Sequence, residues 1–180
     1  QFPGASALIL ASFNGHEDIV RLLIDAGSNI NHTDHYGKNA LSYSKSNGHK
    51  KIEKMLLDAG SEDLEVKEMF FQAVETGNDD IFPMLKRTSG AVHFRNEKGE
   101  TLLMRAALHG RQIFITRLLK AGANPNARTP AGKTPLMYAA MNGHMETARQ
   151  LLKNKAIINA ITIYGQDAID IANERGQLKF

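Results

Sequence analysis

The chain has 180 residues, 42% of them hydrophobic, and 22 Lys/Arg against 19 Asp/Glu give a formal net charge of +3. No apolar run approaches the roughly 18 residues that cross a bilayer. The absence of cysteine excludes disulfides, thiolate catalysis and cysteine zinc sites, and fits cytosol, bacterial periplasm and cell exterior alike, a cytoplasmic soluble protein being the first expectation.

In chain order, a first helix is expected over Ser6–Ser12, apolar nearly all round, and a second over Asp18–Ala26, with Gly15 as the stop between them. An outermost helix should show water a polar side, so either a segment precedes Gln1 or Phe2 and Pro3 fold over it. The second helix carries Leu22-Leu23, read as the counterpart of Leu56-Leu57, Leu118-Leu119 and Leu151-Leu152. A turn at His32–Lys38 leads to Asn39, a good N-cap. After Gly48 comes a helix that is basic through Lys50, Lys51 and Lys54.

The next segment is irregular. Gly60 to Gly77 spans 17 residues, where Gly27 to Gly48 and Gly122 to Gly143 each span 21. An amphipathic helix holds Met69, Phe70, Ala73 and Val74. Pro83 removes a backbone donor and predicts a kinked or delayed helix. This part is acidic, with Glu62, Asp63, Glu65, Glu68, Glu75, Asp79 and Asp80 against Lys67, and local fraying or altered curvature is expected. Regular units resume at Thr101-Leu102-Leu103-Met104. The clearest unit starts at Gly132-Lys133-Thr134-Pro135-Leu136. Thr134 is placed to cap, Pro135 fits the first helical position, and Gly143 takes the left-handed stop. The last helix, with Asp167, Asp170, Asn173 and Glu174, is polar enough to suit a C-terminal cap.

The stop glycines at 15, 48, 77, 110, 143 and 176 are separated by 33, 29, 33, 33 and 33 residues. A 33-residue period with a Thr-Pro-Leu-x-x-Ala core resembles the ankyrin repeat. The resemblance implies an all-α solenoid of stacked helix-turn-helix units with β-hairpin fingers. It implies one domain over 1–180, with repeats near 1–31, 32–60, 61–93, 94–126, 127–159 and 160–180. The family's histidine after Thr-Pro-Leu is replaced by Ile9, Ser42, Met104, Met137 and Asp170. Packing is therefore expected to substitute for its hydrogen bond, in a less stable array.

Catalytic, metal and cofactor chemistry find no footing in the sequence. His16, His49 and His144 follow stop glycines, where the family uses histidine to brace the inter-helix turn. His32-Thr33-Asp34-His35 has metal-like spacing but too few ligands for zinc. Asp79-Asp80 and Glu62-Asp63 read as solvated carboxylates near helix starts. Serines lack a nucleophile elbow, and every glycine is phased to the repeat rather than to a phosphate loop. Asn31-His32-Thr33 matches a glycosylation acceptor, but Asn31 shares its phase with Asn126 and Asn159, so a structural asparagine tying down the finger is expected.

In a stack of repeats, finger tips and the open side of the first helices line a concave face. By resemblance, the finger positions include His35, Tyr36, Lys38, Lys98, Glu100, Lys133 and Tyr164. The helix positions include Phe13, Asn47, His109, Met141 and Asn142, and Tyr43, Arg105 and Tyr138 lie one turn earlier. Phe13, Tyr36, Tyr43, Arg105, Tyr138 and Met141 are the expected anchors. The competing reading is that some aromatics pack under the next finger. The resemblance implies a monomeric, non-enzymatic module that binds, and can inhibit, a protein partner. The alternative is a targeting segment of a larger enzyme, channel or bacterial effector. Nucleic-acid binding ranks low on the view that basic residues alternate with acids, and no membrane insertion is expected.

Overall fold

The computed structural model describes residues 3–88 and 90–177; Phe2 lies outside them, so its packing on the first helix is not addressed. Eleven α-helices run through the described residues. They gather into two compact units that divide between Lys67 and Glu68, inside the helix α5 (Leu64–Thr76).

The first unit holds α1 (Ala7–Asn14), α2 (Glu17–Asp25), α3 (Ala40–Ser46) and α4 (Lys50–Asp58). α1 packs on α2 and α3, and α4 on α3 and α2. Leu8, Ile9, Val20, Leu41, Ile52 and Leu56 form its core, each at most 1% exposed. Burying such a side chain is worth about 1.5–3 kcal/mol, so the inner faces of the helices carry the stability. The leucine pair of the first repeat is corrected by this packing. Leu22 is exposed, and Leu23 and Ile24 pack on the core, one position later than the sequence comparison placed them.

The second unit holds most of α5 (Leu64–Thr76), then α6 (Phe82–Arg87), α7 (Leu102–Leu108), α8 (Gln112–Lys120), α9 (Pro135–Met141), α10 (Met145–Lys153) and α11 (Ala168–Glu174). α9 packs between α7 and α11, and α8 lies beside α10. Leu102, Leu103, Met104, Ile115, Leu118, Leu136, Met137 and Leu151 are buried. At the irregular repeat, Phe82 and Phe114 stack at 4.7 Å between centroids. Pro83 falls in the first turn of α6, where its missing N–H costs nothing. The helix starts late, as Pro83 predicts: a 3-10 turn, Asp79–Ile81, precedes a helix of six residues, against nine in α8 and α10.

Caps explain where the helices start. Thr101 and Thr134 accept from the N–H groups of Met104 and Met137, and each methionine sulfur accepts the threonine N–H in return, at 3.3 and 3.4 Å. Asp170 closes the same loop onto the Asp167 N–H at 3.0 Å. Ser42 donates its hydroxyl to the cap side chain, Asn39 Oδ1, at 2.9 Å, so four of the five substitutes for the family histidine retain a hydrogen bond, which corrects the expectation that packing alone replaces it.

The stops are inter-repeat joints. His144 N–H donates to the Ala139 carbonyl and Gly143 N–H to the Ala140 carbonyl, with Gly143 at φ 66°. The His49 and His144 rings reach the carbonyls of Phe13 and Leu108 in the preceding repeat at 3.1 and 3.0 Å. Arg111 does the same to Glu75 at 2.6 Å. Bracing thus runs between repeats rather than only within the inter-helix turn.

The β-hairpin fingers are corrected. Each finger is a turn closed by two backbone bonds, such as Asp34 N–H to the Lys38 carbonyl and Gly37 N–H to the Asp34 carbonyl, both 3.0 Å. Among the described residues the only ladder pairing is an isolated bridge, Arg95 with Thr101. Side chains at the base replace the ladder. Asp34, Asn96, Thr129 and Thr162 accept the N–H groups of Lys38, Glu100, Lys133 and Gln166.

Candidate functional site: finger tips and first helices

The finger ends and first helices meet in a recurring clasp. The last residue of a finger lies against the helix residue five positions on. Lys38 sits 5.6 Å over the Tyr43 ring, Arg105 pairs with Glu100 at 3.5 Å, and Lys133 sits 6.0 Å over the Tyr138 ring. Tyr43 donates its hydroxyl to Asp34 Oδ2 at 2.6 Å, and Tyr138 donates to Glu100 Oε1 at 2.7 Å. Arg105 also grips Glu75 at 2.5 Å, so Glu75, Arg105, Glu100 and Tyr138 form one chain of charge-assisted contacts across three repeats.

The electrostatics follow from this geometry. Burial works against the Glu100 charge. Hydrogen bonds from Tyr138 and Asn96, with the positive charges of Arg105 and Lys98, outweigh it and hold the carboxyl below its ordinary range. Asp34 is lowered likewise, against its burial, by Tyr43 and by the N–H groups of Lys38 and Tyr36. The Asp34 bond and burial push the Tyr43 phenol up to about 12. Burial and Glu100 raise Tyr138 further. Desolvation and the Arg105 guanidinium lower His109, whose Nε2 lies 3.4 Å from Arg105 Nη2.

These contacts sort the expected contact residues. Tyr43, Glu100 and Tyr138 are buried, and Arg105 keeps 17% of its side chain exposed. They hold fingers to helices, Tyr43 bonding its own finger and Tyr138 the preceding one rather than the next, and Tyr43, Arg105 and Tyr138 are corrected as surface anchors. Phe13 is half-buried, edge-on to Tyr43 at 5.8 Å. Asn47 and Asn142 are exposed, but their amides donate to the Phe13 and Leu108 carbonyls at 2.8 Å. His35 is exposed with its ring over Gly4. Lys133 and Met141 are half-buried. Tyr36, Lys38, Lys98, His109 and Tyr164 are exposed, Tyr36 at 65% and Tyr164 at 76%. Tyr36 and Lys38 lie in the first unit, and Lys98, His109 and Tyr164 in the second.

The other candidate groups are occupied locally. His32 Nε2 bonds the Gly4 carbonyl at 2.8 Å, while Asp34 faces Tyr43, so the metal-like trio does not converge. Glu62 pairs with Lys67 and Asp63 with Lys45, whose pKa rises in consequence. Asn31 and Asn126 act as structural ties, joining each loop to the next repeat. Asn126 Nδ2 donates to the Lys155 carbonyl at 2.9 Å and its Oδ1 accepts from Ile157 N–H at 2.7 Å. Residues that the first reading left out are Ile157, Ile158 and Ile161, half or more exposed. Their signal was available: residues 156–166 hold no charged side chain. Basic residues also do not alternate with acids throughout. From Thr101 to Ile161 there are nine lysines and arginines and one acid, Glu146, which corrects that premise.

A family model described as ankyrin repeats (3 copies) matches residues 2–68, 70–162 and 112–180. The chain belongs to the ankyrin repeat family. No curated protein matches it. Ankyrin repeats generally mediate protein–protein interactions. Among the described residues no helix is long and apolar enough to cross a membrane.

Proposed function

We propose that this ankyrin array is a non-enzymatic module that holds a protein partner through its finger tips and the open side of its first helices. One observation carries the reading. Once the clasp residues are set aside as internal, large amphipathic side chains still stand in water at the tips, led by Tyr36 and Tyr164. Tyrosine offers wide contact area and a polar end at small entropic cost, the properties of an interface anchor. Such a module inhibits a partner when the surface it covers is the partner's working face.

The test is capture on the immobilised chain, comparing wild type with Tyr36→Ala/Lys98→Ala/Tyr164→Ala. Lys54→Ala, on the exposed side of α4, is the control. The triple variant is expected to lose the partner and the control to keep it. A partner held equally by both would refute this choice of surface.

A further inference from the structure

The last residue of each second helix occupies one phase of the repeat. It is Asp25 in α2 and Asp58 in α4, but Arg87, Lys120 and Lys153 in α6, α8 and α10, all exposed. In the second unit the loops after α8 and α10 lie side by side, fixed by Asn126 on Lys155 and Ile157 and by Arg128 donating to the Ile161 carbonyl. Lys120, Lys153 and Lys155 thus share an edge, and none is in an ion pair among the described residues. Glu146, the one acid of the Thr101–Ile161 segment, sits in the opposite, first turn of α10. Ile157, Ile158 and Ile161 stand among the lysines, 56%, 50% and 51% exposed.

Lys155 adds an independent sign. It is the one non-glycine with positive φ among the described residues, at 67°, where Gly27, Gly60 and Gly122 hold the same phase. A cation is kept in a conformation that side chains rarely adopt, and strain of this kind points to a use.

We propose that this edge docks on an anionic lipid surface. The ammonium groups meet headgroup charge while the isoleucines enter the boundary between headgroups and acyl chains. Nucleic acid fits less well, because bases stack on aromatic rings or guanidinium planes and the apolar side chains here are aliphatic. An acidic peptide would answer the lysines and leave the isoleucines in water. The edge uses different residues from the finger tips, so either surface can fail without the other.

The test is co-sedimentation of the full chain with vesicles of phosphatidylcholine, alone or with about one part in three phosphatidylserine. Binding is expected only with phosphatidylserine, and it should weaken as salt rises from about 0.1 M to 0.5 M. Lys120→Gln/Lys153→Gln/Lys155→Gln should lower partitioning by about a hundredfold, each cation being worth roughly fivefold at such a surface. Ile157→Ser/Ile158→Ser/Ile161→Ser, with every charge kept, should lower it at least about tenfold. Circular dichroism checks that both variants fold, and Ile157→Ser alone, at an exposed site, should lower it about threefold if the triple does not. No binding to either vesicle, equal binding to both, or full binding by the isoleucine variants would overturn the proposal. So would displacement from the vesicles by a single-stranded oligonucleotide or polyglutamate with no sensitivity to the isoleucines.

Discussion

Tyr138→Phe isolates the phenol–carboxylate bond that ties the fourth finger to the fifth repeat. The ring stays in its buried place, and only the hydroxyl that donates to Glu100 Oε1 at 2.7 Å is lost. Glu100 is 5% exposed, so water cannot take over that bond freely. It keeps Asn96 at 2.7 Å and the weaker contact to Arg105 at 3.5 Å. A hydrogen bond to a charged group is worth about 1.5–3 kcal/mol, and with the partners that remain the expected loss is about 2 kcal/mol. The sign with pH is fixed by Glu100. Its folded pKa lies below its ordinary value, so its contribution is present above the unfolded pKa and disappears as pH falls through the folded one. In urea titrations the gap between wild type and variant should therefore be widest near pH 7 and narrow as pH falls through the lowered folded pKa of Glu100. Glu100→Gln should remove most of that pH dependence. A gap below about 0.5 kcal/mol at neutral pH would show the bond to be energetically idle. A gap of unchanged size in the Glu100→Gln background would show that Glu100 is not its source.

The remaining predictions concern the joints and the backbone. Gly48→Ala meets no neighbour within 4 Å and should cost only the left-handed strain, about 1 kcal/mol, in chemical denaturation. Gly110→Ala would also set its Cβ 2.8 Å from the His144 ring and push that ring off the Leu108 carbonyl, costing about 1 kcal/mol more. The excess should vanish in the His144→Ala background. Lys155→Gly should raise stability by about 1 kcal/mol in the same assay, by relieving the positive φ. At the alkaline end, the raised Tyr43 phenol contributes stability that is complete below its ordinary pKa and is lost as pH rises through about 12. Tyr43→Phe should flatten that alkaline decline, and an unchanged profile would remove Tyr43 as its cause.

The repeat was legible because glycine has two jobs at one position. At Gly15 and Gly110 the backbone needs a positive φ, and the next repeat's histidine occupies the space a Cβ would fill. No other residue satisfies both demands, so the period is written in a single letter. The surface was less legible, for the opposite reason. A tyrosine five residues before the stop glycine looks the same in sequence whether it faces a partner or a carboxylate of its own chain. Tyr43 and Tyr138 turn inward because Asp34 and Glu100 stand within reach of their hydroxyls, a pairing that depends on how fingers fold over helices and not on spacing. The finger ladder was overestimated in the same way. The alternation of a hairpin is absent from turns that a base side chain can close alone, as Asn96 does with the N–H groups of Lys98 and Glu100. Charge was legible but averaged away: a net +3 conceals a Thr101–Ile161 segment with eight more positive than negative side chains, nine against one. Bringing Lys120 and Lys153, the last residues of α8 and α10, to one edge takes the packing of α8 on α10. Sequence thus reports most clearly where one residue answers several constraints at once, and least clearly where a side chain can choose between two partners.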